Sequence, residues 1–142
     1  MLRVLYEELL IPTSVWVEAV EKGKGKPGST EISSAAWIKR HSVENMALVQ
    51  ALRQDLDAGE SEAIALALET QADLLLMDER LGRSTAQYFG LRYIGSIGIL
   101  ATAKKRKLIT EIRPRLDKLR KDVGFYLSDA LYDRVLEDAN EL

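Results

Sequence analysis

The 142-residue chain has no cysteine, a single histidine, three prolines and only two phenylalanines. Without cysteine there can be no disulfide and no thiolate ligand, and His41 alone does not support a zinc site. Ser61, Ser84 and Thr85 have no histidine near them in sequence, so a hydrolytic triad finds no support. No apolar run approaches the ~20 residues needed to cross a bilayer. The N-terminus lacks the basic start, apolar core and small-residue cleavage site of a secretory signal. A cytoplasmic protein with no membrane segment is expected, and any metal it binds should be a hard, oxygen-liganded ion such as Mg²⁺ or Mn²⁺.

What is present is ordinary in bulk and uneven in detail. Hydrophobic residues make up 46% and charged residues 30% of the chain. A chain of this length buries roughly 68–70% of its unfolded surface as one domain, so residues 1–142 are expected to form a single domain. The net charge of −2 hides a segregation. Residues 104–121 hold nine Lys or Arg against Glu111 and Asp117. Such a basic segment reads either as a face that meets nucleic acid or as the solvated side of surface helices.

Periodicity gives an alternation of strands and helices. Leu9-Leu10-Ile11 reads as a strand, and Pro12-Thr13 opens a helix to about Glu21. Gly23 to Ser29 is a loop. It lacks the Gly-Lys-Ser/Thr ending of a phosphate loop. Ala35–Ile38 reads as a short strand and Glu44 to about Leu56 as a helix. Ser61 is placed to cap a helix that runs to Glu69 or Thr70 and is apolar on most sides. Asp73–Met77 is a short hydrophobic strand without alternation, as a central parallel strand would be. A helix over Glu79–Phe89 closes at Gly90, Leu91–Ile94 is a further strand, and Gly95-Ser96 opens a helix to about Lys105. Two more helices follow, over Thr110–Lys121 and Ser128–Glu137, so that from about 95 onward the chain is mainly helical. The alternation implies an α/β/α arrangement in three layers around a parallel sheet.

Two acidic positions stand out against this pattern. Glu62 lies in the first turn of a nearly all-apolar helix, and Asp78 ends a strand made of Leu and Met. Burying a carboxylate costs several kcal/mol unless a cation or hydrogen bonds compensate. Ligands of parallel sheets sit beyond the C-terminal strand ends, which is where Asp78 falls. Each acid also has a plainer reading, Glu62 as a partner of the helix dipole and Asp78 as a cap on the next helix. Glu18 is one acid on an amphipathic helix, and Glu79 either joins the site or faces water. Glu60 reads as an exposed loop acid, His41 as a surface histidine, and Trp16 and Trp37 as core residues.

Leu56-Asp57-x-Gly59-Glu60-x-Glu62-Ala63-Ile64-Ala65-Leu66-Ala67, followed by Leu74-Leu75-Leu76-Met77-Asp78-Glu79-Arg80-x-Gly82-Arg83, resembles the prokaryotic PIN-domain proteins related to VapC-type toxins. The likeness continues through Gly95-Ser96-Ile97-Gly98-Ile99-Leu100 and Ile112-Arg113-Pro114 to Gly124-Phe125-Tyr126-Leu127-Ser128. In this it is most similar to a branch of unknown function. The segment Leu10-Ile11-Pro12-x-x-Val15-Trp16-x-Glu18 is similar to the family's second strand and helix. The resemblance implies a metal-dependent endoribonuclease, often the toxin of a toxin–antitoxin pair. Glu18, Glu62 and Asp78 would be the catalytic and metal-binding acids, with Glu79 a further ligand, and Mg²⁺ or Mn²⁺ the cofactor. RNA would be the substrate and an antitoxin protein a partner.

One departure accompanies the likeness. Such proteins begin with a hydrophobic strand ending in an Asp-x-Ser or Asp-x-Thr step, whereas Leu2-Arg3-Val4-Leu5-Tyr6 resembles the end of the helix that follows it. An N-terminally truncated sheet lacking one metal-binding Asp is therefore expected. This opens a second reading, a degenerate non-catalytic relative that binds an antitoxin or its own copy as a homodimer through an exposed sheet edge.

Overall fold

The computed structural model describes residues 2–26, 28–122 and 125–142, with Asp122 described by its backbone alone. Pro27 of the glycine-rich loop and Gly124 of the tail motif lie outside the described residues. The chain divides into two compact units, one formed by Tyr6–Ile94 and the other by the N-terminal segment up to Leu5 with Gly95–Leu142.

In the first unit, β1 (Leu9–Pro12) runs directly into α2 (Thr13–Trp16), α1 being Leu2–Leu5 of the other unit. The helix then widens to a π-helical turn over Val17–Glu21, closed by the Lys22 N–H donating to the Val17 carbonyl at 2.8 Å. Next come α3 (Ser29–Ser34), β2 (Ile38–His41), α4 (Met46–Leu52), α5 (Ala58–Thr70), β3 (Leu75–Leu76), α6 (Arg80–Tyr88) and β4 (Tyr93–Ile94). The alternation and the parallel pairing are those expected of an α/β protein. The strands pair as two parallel ladders, β1 with β2 and β3 with β4. Leu9 aligns with Ile38 in the first ladder and Leu75 with Tyr93 in the second. Helix α5 packs against both β1 and β3, and also against α2, α4 and α6.

This central position explains the composition of α5. Ile64, Ala65, Leu66 and Ala67 are all buried, so an apolar stripe on one side would not suffice. The helix starts earlier than its apolar run. Asp57, not Ser61, is the N-cap: its carboxylate accepts from the Glu60 N–H at 2.8 Å while Glu60 Oε2 accepts from the Asp57 N–H at 3.3 Å. This reciprocal box satisfies two of the four orphan donors of the helix start. Ser61 is instead a fully buried residue inside the helix, and Glu60 is a helical, half-buried acid, not a loop residue.

The core of this unit gathers Leu56, Ile64, Ala67, Leu75, Met77 and Ala86. Helix α6 can lie this close to the β3 segment because Gly82 has no side chain. A Cβ there would overlap the Met77 thioether. Gly90 ends the helix with φ 73°, in the left-handed region where glycine carries no steric penalty. At the start of α4, the Glu69 carboxylate of α5 accepts from the Asn45 N–H at 2.6 Å and from the Glu44 N–H.

The second unit contains α7 (Ser96–Lys105), α8 (Arg113–Asp122) and α9 (Asp129–Asp138). Leu100, Ala103, Ile109, Ile112, Leu116, Leu127, Val135 and Leu136 form its core, with Leu5 packed against them. Ser128 caps α9 as expected, accepting from the Leu131 N–H. Arg120 donates to the Leu127 carbonyl and to Asp129, and its guanidinium lies over the Tyr132 ring at 4.6 Å. Glu141 fastens the chain end: its carboxylate accepts from the Ile112 N–H at 2.8 Å, the Arg113 N–H at 3.1 Å and Lys104 Nζ at 3.2 Å.

Candidate acidic site

In the first unit α5 packs against both α2 and α6. Because α5 starts at Ala58, Glu62 lies in its second turn and not, as expected, in its first; its Oε1 accepts from the Ser14 N–H of α2 at 3.0 Å. The two helix starts are tight here, since a Cβ on Gly59 would meet Val15 Cγ2 at 3.2 Å. Glu79, the N-cap residue of α6, lies near enough to Glu60 for its charge to act on that carboxyl. Burial is the main cause that raises the Glu60 pKa above the ordinary carboxylate range. The Asp57 N–H opposes it, and the charges of Asp57 and Glu79 add to it. Asp78, just before Glu79, follows β3 and is half-buried. Helices α2 and α6 start immediately after, or a few residues after, β1 and β3, at the C-terminal strand ends where parallel sheets place their ligands.

Glu62 is half-buried, and its Oε2 has no hydrogen-bond partner among the described residues. Two buried hydroxyls belong to the same junction, Ser14 Oγ and Ser61 Oγ, and neither has a hydrogen-bond partner among the described residues. Buried hydroxyls are almost always bonded, so these two orphans, one on the residue that binds Glu62 and one on its chain neighbour, are exceptions to the rule. The reading of Glu62 as a mere dipole partner does not account for its bond to another helix. Glu79 occupies the N-cap position of α6, yet its side chain makes no capping hydrogen bond.

Glu18 is placed differently. It is exposed on the π-helical turn and lines an open cleft with Ala19, Lys22, Gly23, Lys26, Gly28 and Ile32. None of Glu62, Asp78 and Glu79 lines that cleft. The widened turn is the feature that periodicity could not show, because it shifts the direction of every side chain after Trp16. Ser14 and Ser61 were likewise not legible as site residues, since a buried serine in an apolar helix gives no pattern of its own. His41 is exposed, as expected of a surface histidine, whereas Trp16 and Trp37, expected in the core, are only half-buried and belong to neither core cluster.

The family model DUF3368: PIN domain matches residues 1–141. The chain therefore belongs to the PIN-domain family, and the match runs through both compact units. Searches of curated proteins and of solved structures give no match. PIN domains are nuclease-type domains that generally depend on a divalent cation. Among the described residues, no group of three or more His, Asp or Glu side chains is arranged to hold a cation. The site as built does not form a complete cage of acids. A Mg²⁺ ion commonly takes only one or two carboxylates and completes its octahedron with water and substrate phosphate. The free Glu62 oxygen and the two orphaned hydroxyls are of the right donor type for a hydrated hard ion.

Proposed function

We propose that this chain is a PIN-type endoribonuclease of the cytoplasm, the toxin of a toxin–antitoxin pair, with Glu62 and Asp78 as its principal carboxylates. The supporting observation is the half-buried Glu62 carboxylate, which a bond from the Ser14 N–H to one oxygen orients, while the other oxygen makes no hydrogen bond among the described residues. In this reading Glu62 and Asp78 would hold Mg²⁺ or Mn²⁺, with Glu79 as a further acid at the start of α6, while Glu18, on its separate cleft, stands outside the set. The ion would polarise a phosphoryl oxygen and lower the pKa of a bound water.

The residues of the chain supply position and field. The Ser14 N–H keeps Glu62 in one rotamer, which lowers the entropy that a ligand must remove. Gly82 lets α6 lie against Met77, and so sets where the Asp78-Glu79 step emerges from β3. The converging N-termini of α5 and α6 favour anions, both the acids themselves and an RNA phosphate brought to them. The basic residues of 104–121 would add a sequence-independent attraction for RNA. Cleavage of single-stranded RNA in Mn²⁺, by wild type and by Asp78→Asn, tests the reading. Wild type should cut and the variant should lose at least about tenfold, the lower end of what loss of even a metal ligand's supporting partner costs. Equal rates would rule the site out.

A second reading has its own observation. Among the described residues β1 and β3 each pair with one strand only, so each ladder presents edges that could take another strand. This favours a non-catalytic PIN protein that binds an antitoxin or a second copy by strand addition. Light scattering separates the two: a concentration-independent monomer would remove self-association.

A further inference from the structure

Helix α6 presents a solvent face that folding does not account for. Gly82 and Ala86 turn inward and are buried, while Arg80, Leu81, Arg83, Ser84, Gln87 and Tyr88 are exposed. At 100° per residue the outer residues fall into two neighbouring stripes. One is Arg80-Arg83-Gln87 and the other Leu81-Ser84-Tyr88. The first is cationic and hydrogen-bonding. The second carries an aromatic ring that is 84% exposed and held edge-on by Phe89, with centroids 5.3 Å apart.

The cations are in an unfavourable place. Arg80 and Arg83 occupy the first turns of α6, where the helix dipole disfavours positive charge, and neither forms an ion pair among the described residues. Their surroundings make this more unusual. Fourteen acids outnumber nine bases in residues 6–94, yet residues 80–93 contain three Arg and no acid. A positive stripe that costs the helix some stability and leads away from the Asp78-Glu79 step suits an anionic polymer that must reach that step.

We infer that the outer face of α6 is a binding track for single-stranded RNA, with Arg80 and Arg83 on successive phosphates and Tyr88 stacked on a base. The inference rests on the nuclease reading for its substrate and goes beyond it in naming the surface. The track covers about 12 Å along the helix from Arg80 to Tyr88. Single strands fit it because an exposed aromatic ring stacks on bases that are already unstacked, whereas the edges of a duplex would not present them. Leu81 and Tyr88 make only a small apolar strip beside the two arginines, and the cationic stripe favours a charged polymer over an apolar partner surface.

The test is fluorescence anisotropy of a labelled single-stranded RNA in EDTA across a salt series, followed by cleavage of the same RNA in Mn²⁺. The substitutions sit on exposed side chains, and circular dichroism checks that each variant folds. Arg80→Ala with Arg83→Ala should weaken binding about tenfold and flatten the log–log salt slope by about 1.4. Tyr88→Ala should weaken it about tenfold with no change in slope, and Tyr88→Phe should restore it. Lys24→Ala with Arg53→Ala, an equal loss of charge elsewhere in the unit, should change binding by less than about twofold. Binding that depends on α6 without cleavage would sustain the track and overturn the nuclease reading. Cleaving wild type with unaffected α6 variants would overturn the track alone and leave the face to a protein partner. No RNA binding by wild type would overturn both.

Discussion

Glu62 accepts a hydrogen bond from the backbone N–H of Ser14, 48 residues away in sequence, and so ties the start of the central helix α5 to the helix that follows β1. The bond uses only one carboxylate oxygen. Glu62→Gln keeps an acceptor for Ser14 and should lower stability by less than about 1 kcal/mol. Glu62→Ala leaves the Ser14 N–H without its partner and should cost about 1–3 kcal/mol. Both should lose nuclease activity. Urea unfolding separates the two roles: equal destabilisation by Gln and Ala would mean that the charge, not the bond, holds the helices together.

Gly82→Ala should destabilise the first unit by about 1–3 kcal/mol, because the added methyl overlaps the buried Met77 side chain, so that either the thioether must repack or α6 must shift. Where α6 shifts, the Asp78-Glu79 step moves with it, and activity should fall by more than the change in folded fraction explains. Met77→Ala in the same background should return part of the loss by making room. A Gly82→Ala protein with wild-type stability would show that Met77 repacks around the methyl and that Gly82 does not set the position of α6.

Glu141 gives a pH dependence to the second unit. Burial pushes its carboxyl pKa up, but the N–H groups of Ile112 and Arg113 and the Lys104 ammonium outweigh it and hold the pKa below the ordinary range. A depressed folded pKa contributes stability that is complete above the unfolded value, about 4.3, and is lost as pH falls through the folded one. Wild type should therefore lose melting temperature below about pH 4.3, and Glu141→Gln should lose less over the same range. At pH 7 the variant should be the less stable of the two. Parallel pH profiles for both proteins would contradict the latch.

Glu60 has the opposite sign. Burial first, then the charges of Asp57 and Glu79, raise its pKa against the opposing Asp57 N–H. The folded state thus binds this proton more tightly than the unfolded one, and stability declines as pH rises through the shifted range. Glu60→Gln keeps an acceptor for the capping box and removes the repulsion. At pH 7 it should be as stable as wild type or more so, by less than about 1 kcal/mol because the group is partly exposed. A clear loss at pH 7 would mean that the charged form is needed for the cap.

Much of the fold can be read from the residues, for identifiable reasons. Helix α5 follows from its uninterrupted apolar run, and the end of α6 from Gly90. The cap of α5 was legible as Asp57-x-x-Glu60, but the serine beside the apolar run competes with it. Only burial shows that Ser61 belongs to the interior. Strand ends are less accessible. Leu74–Met77 has the composition of a strand throughout, yet β3 is only Leu75–Leu76, since pairing ends where β4 ends. The second strand falls at Ile38–His41 and not at Ala35–Ile38, because its register is set by Leu9–Pro12 opposite. Helix α3 has no apolar periodicity; Ser33 and Ser34 bond back to the Thr30 carbonyl in place of a buried face. In the site, Glu62 and Asp78 were legible as acids in apolar surroundings. The Ser14 contact and the outward position of Glu18 were not, because both depend on how α2 widens and where α5 crosses it.

Isothermal titration of Mn²⁺ into wild type, Glu62→Gln and Asp78→Asn addresses the acidic site itself, apart from any choice of RNA. Wild type should bind close to one ion with an affinity that each substitution weakens at least about tenfold. Glu141→Gln, in the other unit, should bind as wild type does. Identical isotherms for wild type, Glu62→Gln and Asp78→Asn would mean that these two carboxylates hold no cation, and the nuclease reading of this chain would fall.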